Sequence, residues 1–464
     1  MSNDLDPANV EVGSLPVPQN GFQRFTGMLD HFFHFTERGS TFWTEVLGGA
    51  TTFGTISYVL IVHPFILSES GMDRGALITV TALTAAIFSI IMGLRTNYPL
   101  AMAPGMGVNA YVAVQVCQGM HIPWQAAIGM VFYSGLLFLL VSATGIRRKI
   151  IESFPDSFKK TVAASIGFFI AFIGLRNAGI IIPDPHSIAT LGNLSSPPVL
   201  LGFLGTLVTI VLVNRRVKGA LILSIFLLAG VGILLPGVAP GSRITPVPHH
   251  IFGWPNSMAP VFLKLDLLYP LRHFHQCLPI ILTLLFADLF SAMATLLAIG
   301  ARAHLNDEHG NLPKLREALS ADAAAASGGA LLGTTTTVIY VESAAGVEQG
   351  ARTGLTSIVI ALCCLAALFL SPLIAIIPPV ATSPALVMIG IFMMEGFSEL
   401  DLRDGAVAAT ALVTIVLTLM GSVSDGLALG FITNVLVLGA SGRARQVKPV
   451  AYALAGIFLL HYIV

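Results

Sequence analysis

Gly333-Thr-Thr-Thr-Thr-Val-Ile-Tyr-Val-Glu-Ser-Ala-Ala-Gly-Val347 is the stretch that decides how this chain folds. It lies in a strongly apolar sequence, yet it opens on threonines 334 to 337 and carries the carboxylate Glu342. Residues 334–340 are rich in β-branched side chains, which favour a strand. Residues 343–347 have the small side chains of a tightly packed helix start. In lipid, a half-strand, half-helix element must be buried in protein or line a cavity, because hydrocarbon satisfies no backbone N–H or C=O group. An ionisable side chain at such a break marks a functional position.

The surrounding composition places that element in a membrane. Of 464 residues, 55% are hydrophobic and only 10% charged, with a mean hydropathy of +0.83, whereas soluble domains carry about 25% charge. The chain is therefore expected to be an all-α polytopic membrane protein. Spans of about 20 residues joined by short loops allow roughly twelve to fifteen crossings, and the spans taken in order below number about fourteen. A formal net charge of zero implies no general attraction for polyanions, which argues against nucleic acid as a partner. Cys117, Cys277, Cys363 and Cys364 lie in or beside apolar stretches without metal-binding spacing, so they read as reduced core residues. No Walker loop, zinc signature or nucleophile elbow occurs. Neither an ATP-driven pump nor an enzyme is indicated, and no cofactor or metal is expected. Residues 1–40 are polar and mixed in charge, with no cleavable signal peptide.

Taken in order, residues 1–20 read as a disordered tail and 22–41 as an interfacial helix containing His31 and His34. The first span covers about 45–62 and ends at His63-Pro64; the second and fourth cover about 75–93 and 125–143. Between them lies a second interrupted element, Asn97 to Tyr111. Pro99, Pro104, Gly105 and Gly107 forbid a continuous helix there, and Asn109 follows the break. Spans at about 162–175, 199–213 and 220–235 precede a proline-rich connection, 236–277, read as irregular with a short interfacial helix. His249-His250 within it carry little functional weight. The later spans cover about 278–300, 318–332, the opening element, 356–370, 384–396, 405–420 and 426–439. A last apolar stretch, 449–464, is expected to lie at the interface or tucked against the bundle.

With a cytoplasmic N-terminus, the links after spans 4, 6, 8 and 14 face the cytoplasm. They carry Arg147/Arg148/Lys149, Arg215/Arg216/Lys218, Arg302/Lys314/Arg316 and Arg443/Arg445/Lys448, as the positive-inside rule requires. The interrupted elements stand third and tenth, seven spans apart. An odd number of spans per repeat inverts one half relative to the other, and paired broken helices point to a transporter's binding site. The expected division is a tail and interfacial helix (1–41), a first core half (42–145), a first gate half with the long loop (146–277), a second core half (278–371) and a second gate half with the C-terminal segment (372–464).

Asp288 stands among Leu284-Leu-Phe-Ala and Leu289-Phe290. A mid-span charge costs roughly 2.5–3.5 kcal/mol on insertion scales unless it is paired or watered. Asp288 and Glu342 are thus candidates to bind the N–H edge of a neutral planar ligand and to carry a proton. Asn109 offers both a donor and an acceptor. Tyr58, Tyr111, Phe286, Phe290 and Tyr340 are candidates to stack on a ring. A purely structural use of the two acids, satisfied by amides or hydroxyls, is the competing reading.

Three motifs carry a resemblance: Met102-Ala-Pro-Gly-Met-Gly-Val-Asn-Ala-Tyr111, Asp288-Leu-Phe290 and Thr335-Thr-Thr-Val-Ile-Tyr-Val-Glu-Ser-Ala-Ala-Gly-Val347. The chain from about Phe42 onward resembles the adenine–guanine–hypoxanthine (AzgA-like) purine permeases of the nucleobase–cation symporter family. Gly54-Thr-Ile-Ser-Tyr58, Asn311-Leu-Pro313, Gly350-Ala-Arg-Thr-Gly-Leu355 and Ser424-Asp-Gly-Leu-Ala-Leu-Gly430 support it. The resemblance implies fourteen spans in two inverted repeats, core and gate domains, a homodimer in the cell membrane and proton-coupled purine uptake by an elevator-like shift. It carries substrate-binding roles onto Asn109, Asp288 and Glu342. Two positions depart from the family pattern. Ser291 stands where members have a second aspartate, and His63-Pro64 stands where they have Asn-Pro. A same-fold carrier of uracil, xanthine, urate or an anion is the alternative.

Overall fold

The computed structural model describes residues 21–144, 154–184, 188–237, 241–248, 250–307, 312–420 and 422–463. The 1–20 tail, the Arg147-Arg148-Lys149 cluster, His249 and Asn311 lie outside the described residues.

Apolar sequence becomes helix because a helix satisfies its own backbone. Among the described residues, nine helices are long and apolar enough to cross a membrane, and Ala220–Leu234 and Gly405–Leu419 are shorter apolar helices. The chain is a multi-pass membrane protein. The helices pack in two groups. Phe42–Ile56, Val59–Ser68, Arg74–Thr96, Trp124–Thr144, Phe274–Arg302, Leu315–Leu332 and Gly354–Ala367 form one. Asp156–Asn177, Pro197–Asn214, Ala220–Leu234, Pro379–Met393, Gly405–Leu419 and Val423–Leu438 form the other. Close approach within the second group depends on missing side chains. A Cβ on Gly167 would lie 2.7 Å from the Gly390 carbonyl oxygen, so Asp156–Asn177 and Pro379–Met393 meet backbone to backbone there.

The two interrupted elements meet inside the first group. Met102–Pro104 pairs antiparallel with Thr337–Ile339, in the register Met102 to Ile339, Ala103 to Val338 and Pro104 to Thr337. The Gly105 N–H donates to the Thr336 carbonyl at 2.8 Å, and the Tyr340 N–H to the Ala101 carbonyl at 3.0 Å. Serine hydroxyls satisfy the N–H groups leading into this ladder. Ser357 accepts from Leu100 at 3.0 Å, Ser343 from Ala101 at 2.9 Å and Ser89 from Met102 at 2.9 Å. Each strand then turns into a short helical piece, Met106–Ala110 on one side and Val341–Ser343 with Ala344–Glu348 on the other.

Several boundaries differ from the sequence expectations. The first span does not end at His63-Pro64. It breaks at Ser57-Tyr58, where Leu60 and Ile61 bond back only three residues, and resumes as Val59–Ser68 with Pro64 inside. The eighth helix is longer than expected, Phe274–Arg302; Pro279 is tolerated in it because the carbonyl it cannot bond, that of His275, belongs to an exposed residue near the helix start. A β-hairpin, Ile181–Asp184 with Ile188–Leu191, occupies a connection that gave no strand expectation. The helix Pro449–Ile463 packs against Val423–Leu438 and Phe274–Arg302, tucked against the bundle.

Candidate functional site

A cavity of about 200 Å³ lies where the two helix groups meet at the interrupted elements. Its size is below the roughly 300–1,000 Å³ of drug-sized ligand pockets, so it suits a small molecule. Asp288, Ser291 and Thr295 reach it from Phe274–Arg302. Their spacing of three and four residues puts them on one helix face. Gly105 to Val108 line it from the first interrupted element, and Val338 to Glu342 from the second. Ile166, Ile389, Phe392 and Met393 close it from the other helix group.

Each carboxylate on the wall has a hydroxyl partner. The Thr336 Oγ1 donates to Asp288 Oδ2 at 2.5 Å, and the Tyr58 Oη donates to Glu342 Oε1 at 2.8 Å. Asp288 is only 2% exposed, while Glu342 is half-buried. One oxygen of each acid is thus held by protein, which fixes the side chain and leaves the second oxygen able to accept from a ligand N–H. Tyr58 stands at the Ser57-Tyr58 break, which turns its ring toward the cavity. Tyr340 also lines the cavity, and its Oη donates to the Pro104 carbonyl at 2.6 Å, bridging the two interrupted elements.

Not every sequence candidate reaches this wall. Asn109 is fully buried beside it, donating from Nδ2 to the His63 carbonyl at 3.2 Å. Phe286 is two residues from Asp288, and residues two apart do not share a helix face. It packs instead with Phe154 at 5.0 Å between ring centroids and with Phe290 at 6.0 Å. Tyr111 is buried outside the lining as well.

Behind the wall, Asp322 carries no sequence expectation, whereas His63 and threonines 334 to 337 stand in motifs that the sequence marks. Asp322 is 1% exposed, accepts the Ile339 N–H at 3.1 Å through Oδ1 and has no partner for Oδ2. Its signal was a lone acid in the run Ala321-Asp322-Ala-Ala-Ala-Ala-Ser327, masked by small residues that read as packing. His63 is fully buried, with Nε2 2.6 Å from Thr334 Oγ1. Residues 334 to 337 are all buried: the Thr334 and Thr336 hydroxyls meet His63 and Asp288, and those of Thr335 and Thr337 have no partner. Among the described residues, no group of three or more His, Cys, Asp or Glu could hold a metal ion.

A mostly apolar cavity with two hydroxyl-held carboxylates, set between two helix groups of a multi-pass protein, has the size and the acceptor groups to take a small molecule. The chain belongs to the Permease family, Xan_ur_permease, whose model matches residues 44–426. It is 39% identical to the guanine/hypoxanthine permease PbuG of Bacillus subtilis (strain 168), over 93% of this chain and 99% of that protein. It is 35% identical to the adenine permease AdeP of Escherichia coli (strain K12), over 94% of this chain and 96% of that protein. A putative permease of Methanocaldococcus jannaschii is 42% identical over 94% of this chain and 98% of its own length. The family and these relatives are permeases, not enzymes. The transmembrane domain of a cyanobacterial bicarbonate transporter, BicA, shares the fold with a TM-score of 0.59 at 16% identity, covering 81% of this chain and 97% of that one. Murine Solute Carrier 26 family member A9 does so with a TM-score of 0.60 at 10% identity, covering 93% and 74%.

Proposed function

We propose that this protein is a secondary-active importer of purine nucleobases, namely adenine, guanine and hypoxanthine, driven by protons across the cell membrane. The observation that carries this reading is that Asp288 and Glu342 share one small cavity between two helix groups. The relatives named as adenine and guanine/hypoxanthine permeases support the ligand class. A neutral heterocycle enters edge-on, and the second oxygens of the two acids accept its N–H groups. Tyr340 and Phe392 flank the ring, and Asn109 sets the geometry of the first interrupted element through His63. Protonation of one acid ties base binding to the proton gradient.

In this reading the chain has fourteen spans in two inverted seven-span repeats, with a cytoplasmic N-terminus. The core halves (42–145 and 278–371) move as an elevator against the gate halves (146–277 and 372–464). Exposed apolar side chains such as Leu204, Leu207 and Val211 face lipid or the second copy of a homodimer.

Proteoliposomes containing only this protein, given an inward proton gradient, are expected to accumulate radiolabelled adenine, guanine or hypoxanthine and to lose it when a protonophore is added. No accumulation of any of the three under any imposed gradient would reject the proposal. Ser291, a hydroxyl rather than an acid on the cavity wall, favours one alternative: a carrier of uracil, xanthine, urate or an anion. A thermal-shift screen separates the two, since stabilisation by one of those solutes and by none of the three bases selects the alternative.

A further inference from the structure

A second depression, of about 480 Å³, shares no lining residue with the carboxylate cavity. Arg38, Lys314, Arg352, His304, Tyr98 and Glu37 line it. Arg38 Nη1 donates to the carbonyls of Asn97 at 2.7 Å and Arg352 at 3.1 Å. Arg352 Nη1 donates to those of Val347 at 2.8 Å and Ala351 at 2.7 Å. A guanidinium has five N–H donors, and these bonds use only one nitrogen of each. Both guanidiniums are therefore held in place by backbone while most of their donors stay uncommitted. The backbone N–H of Lys314 donates to Tyr98 Oη at 3.0 Å, which leaves the phenol proton to donate in turn. Glu37 is the one carboxylate among the described lining residues, and it faces His34 at 3.5 Å.

We propose that this depression is a binding site for a phosphate-bearing anion. Among the described residues that line it, three cations converge against one acid, and the forked guanidinium matches phosphate oxygens in geometry as well as charge. A free phosphate or phosphate ester has this chemistry, and so does an anionic lipid headgroup. The neighbouring helix Gly21–Phe33, with Phe22, Phe25 and Phe32 exposed, supplies the aromatic face of an interfacial segment. The position also links the anion to the carrier. Tyr98 stands just before Met102–Pro104, and Arg352 just after Ala344–Glu348. An anion bridging Arg38, Arg352 and Lys314 thus ties the entry of one interrupted element to the exit of the other.

The test uses purified full-length protein and needs no transport. In an uncharged detergent, pyrophosphate and inorganic phosphate are each compared with potassium chloride at equal ionic strength, reading the shift in Tm. In a second arm, nanodiscs of zwitterionic phosphatidylcholine in phosphate-free buffer are compared with and without anionic phosphatidylglycerol. A Tm rise above the salt control is expected, with apparent affinity weakened about tenfold in Lys314→Gln, as for loss of one charge-assisted contact. Arg38→Gln is expected to weaken it as much. Lys314 is exposed, so its variant folds whether or not the Arg38 variant does. A rise with phosphatidylglycerol alone keeps the site and assigns it to headgroups. No rise in either arm, or a Lys314→Gln protein that responds as wild type does, overturns the proposal. Purine binding measured on the same samples stands or falls separately.

Discussion

Tyr58→Phe removes one oxygen and little else. The ring of Tyr58 is 1% exposed, and its hydroxyl donates to Glu342 Oε1 at 2.8 Å. Phenylalanine keeps the ring and its packing, so the change isolates the hydrogen bond. A bond to a charged acceptor contributes about 1.5–3 kcal/mol, and the partner left behind suffers most of the loss. The bond already exists without a ligand, so its full value is the ceiling: with every 1.4 kcal/mol a factor of about ten, the affinity for adenine, guanine or hypoxanthine is expected to fall, by at most roughly 150-fold. Equilibrium binding of the radiolabelled bases to purified protein measures this, with Tm as the control for folding. The mechanism also requires non-additivity, because the hydroxyl acts only through the acid. The Tyr58→Phe/Glu342→Gln double variant should bind no worse than Glu342→Gln alone. A correctly folded Tyr58→Phe protein with wild-type affinity, or a double variant showing the full sum of both losses, would refute the role given to this pair.

Other consequences follow from particular contacts. Asp322→Ala orphans the buried Ile339 N–H and should cost about 1–3 kcal/mol of stability in chemical denaturation, while Asp322→Asn, which keeps an acceptor, should cost clearly less. A Cβ on Gly107 would lie 2.9 Å from Ile166 Cγ2. Gly107→Leu should therefore abolish uptake in proteoliposomes, and adding Ile166→Ala should restore part of it. Arg443 grips Asp404 through two bonds, Nη1 to Oδ2 at 2.6 Å and Nη2 to Oδ1 at 2.7 Å, and holds its carboxyl down at about 2. A depressed carboxyl stabilises the fold above its unfolded value of about 3.9 and loses that contribution as pH falls toward the folded value. The stability difference between wild type and Asp404→Asn, which keeps the helix cap, should therefore shrink as pH drops from about 4 to about 2. A constant difference over that range would contradict it.

The parts of the fold legible in the sequence were those where residue type conflicts with its surroundings. Pro104 and Gly105 cannot continue a helix, and residues 334–340 favour a strand, so both interrupted elements stand out, although the strand itself forms only at Thr337–Ile339. Asp288 and Glu342 were conspicuous as charges in apolar sequence. Direction was harder to read. Phe286 has the right chemistry for stacking but stands two residues from Asp288, and so faces Phe154 and Phe290 rather than the cavity. Asn109 follows four lining residues and still turns its amide to His63. Ile166, Ile389, Phe392 and Met393 could not be found at all, because an apolar side chain on an apolar span looks the same whether it meets lipid, a neighbouring helix or a ligand. The Ser57-Tyr58 break has no sequence mark, since no proline or glycine stands there; its sequence is an ordinary helix with Pro64 further on.

Binding of radiolabelled hypoxanthine, adenine and guanine to Asp288→Asn and Glu342→Gln, each purified and shown to be folded, bears most directly on whether two acids grip one ring. Each substitution keeps the shape and removes the charge. Each should weaken binding of the preferred base by about tenfold or more, the loss of one charge-assisted hydrogen bond. Wild-type affinity in both proteins would mean that the cavity between residues 288 and 342 is not where the base sits.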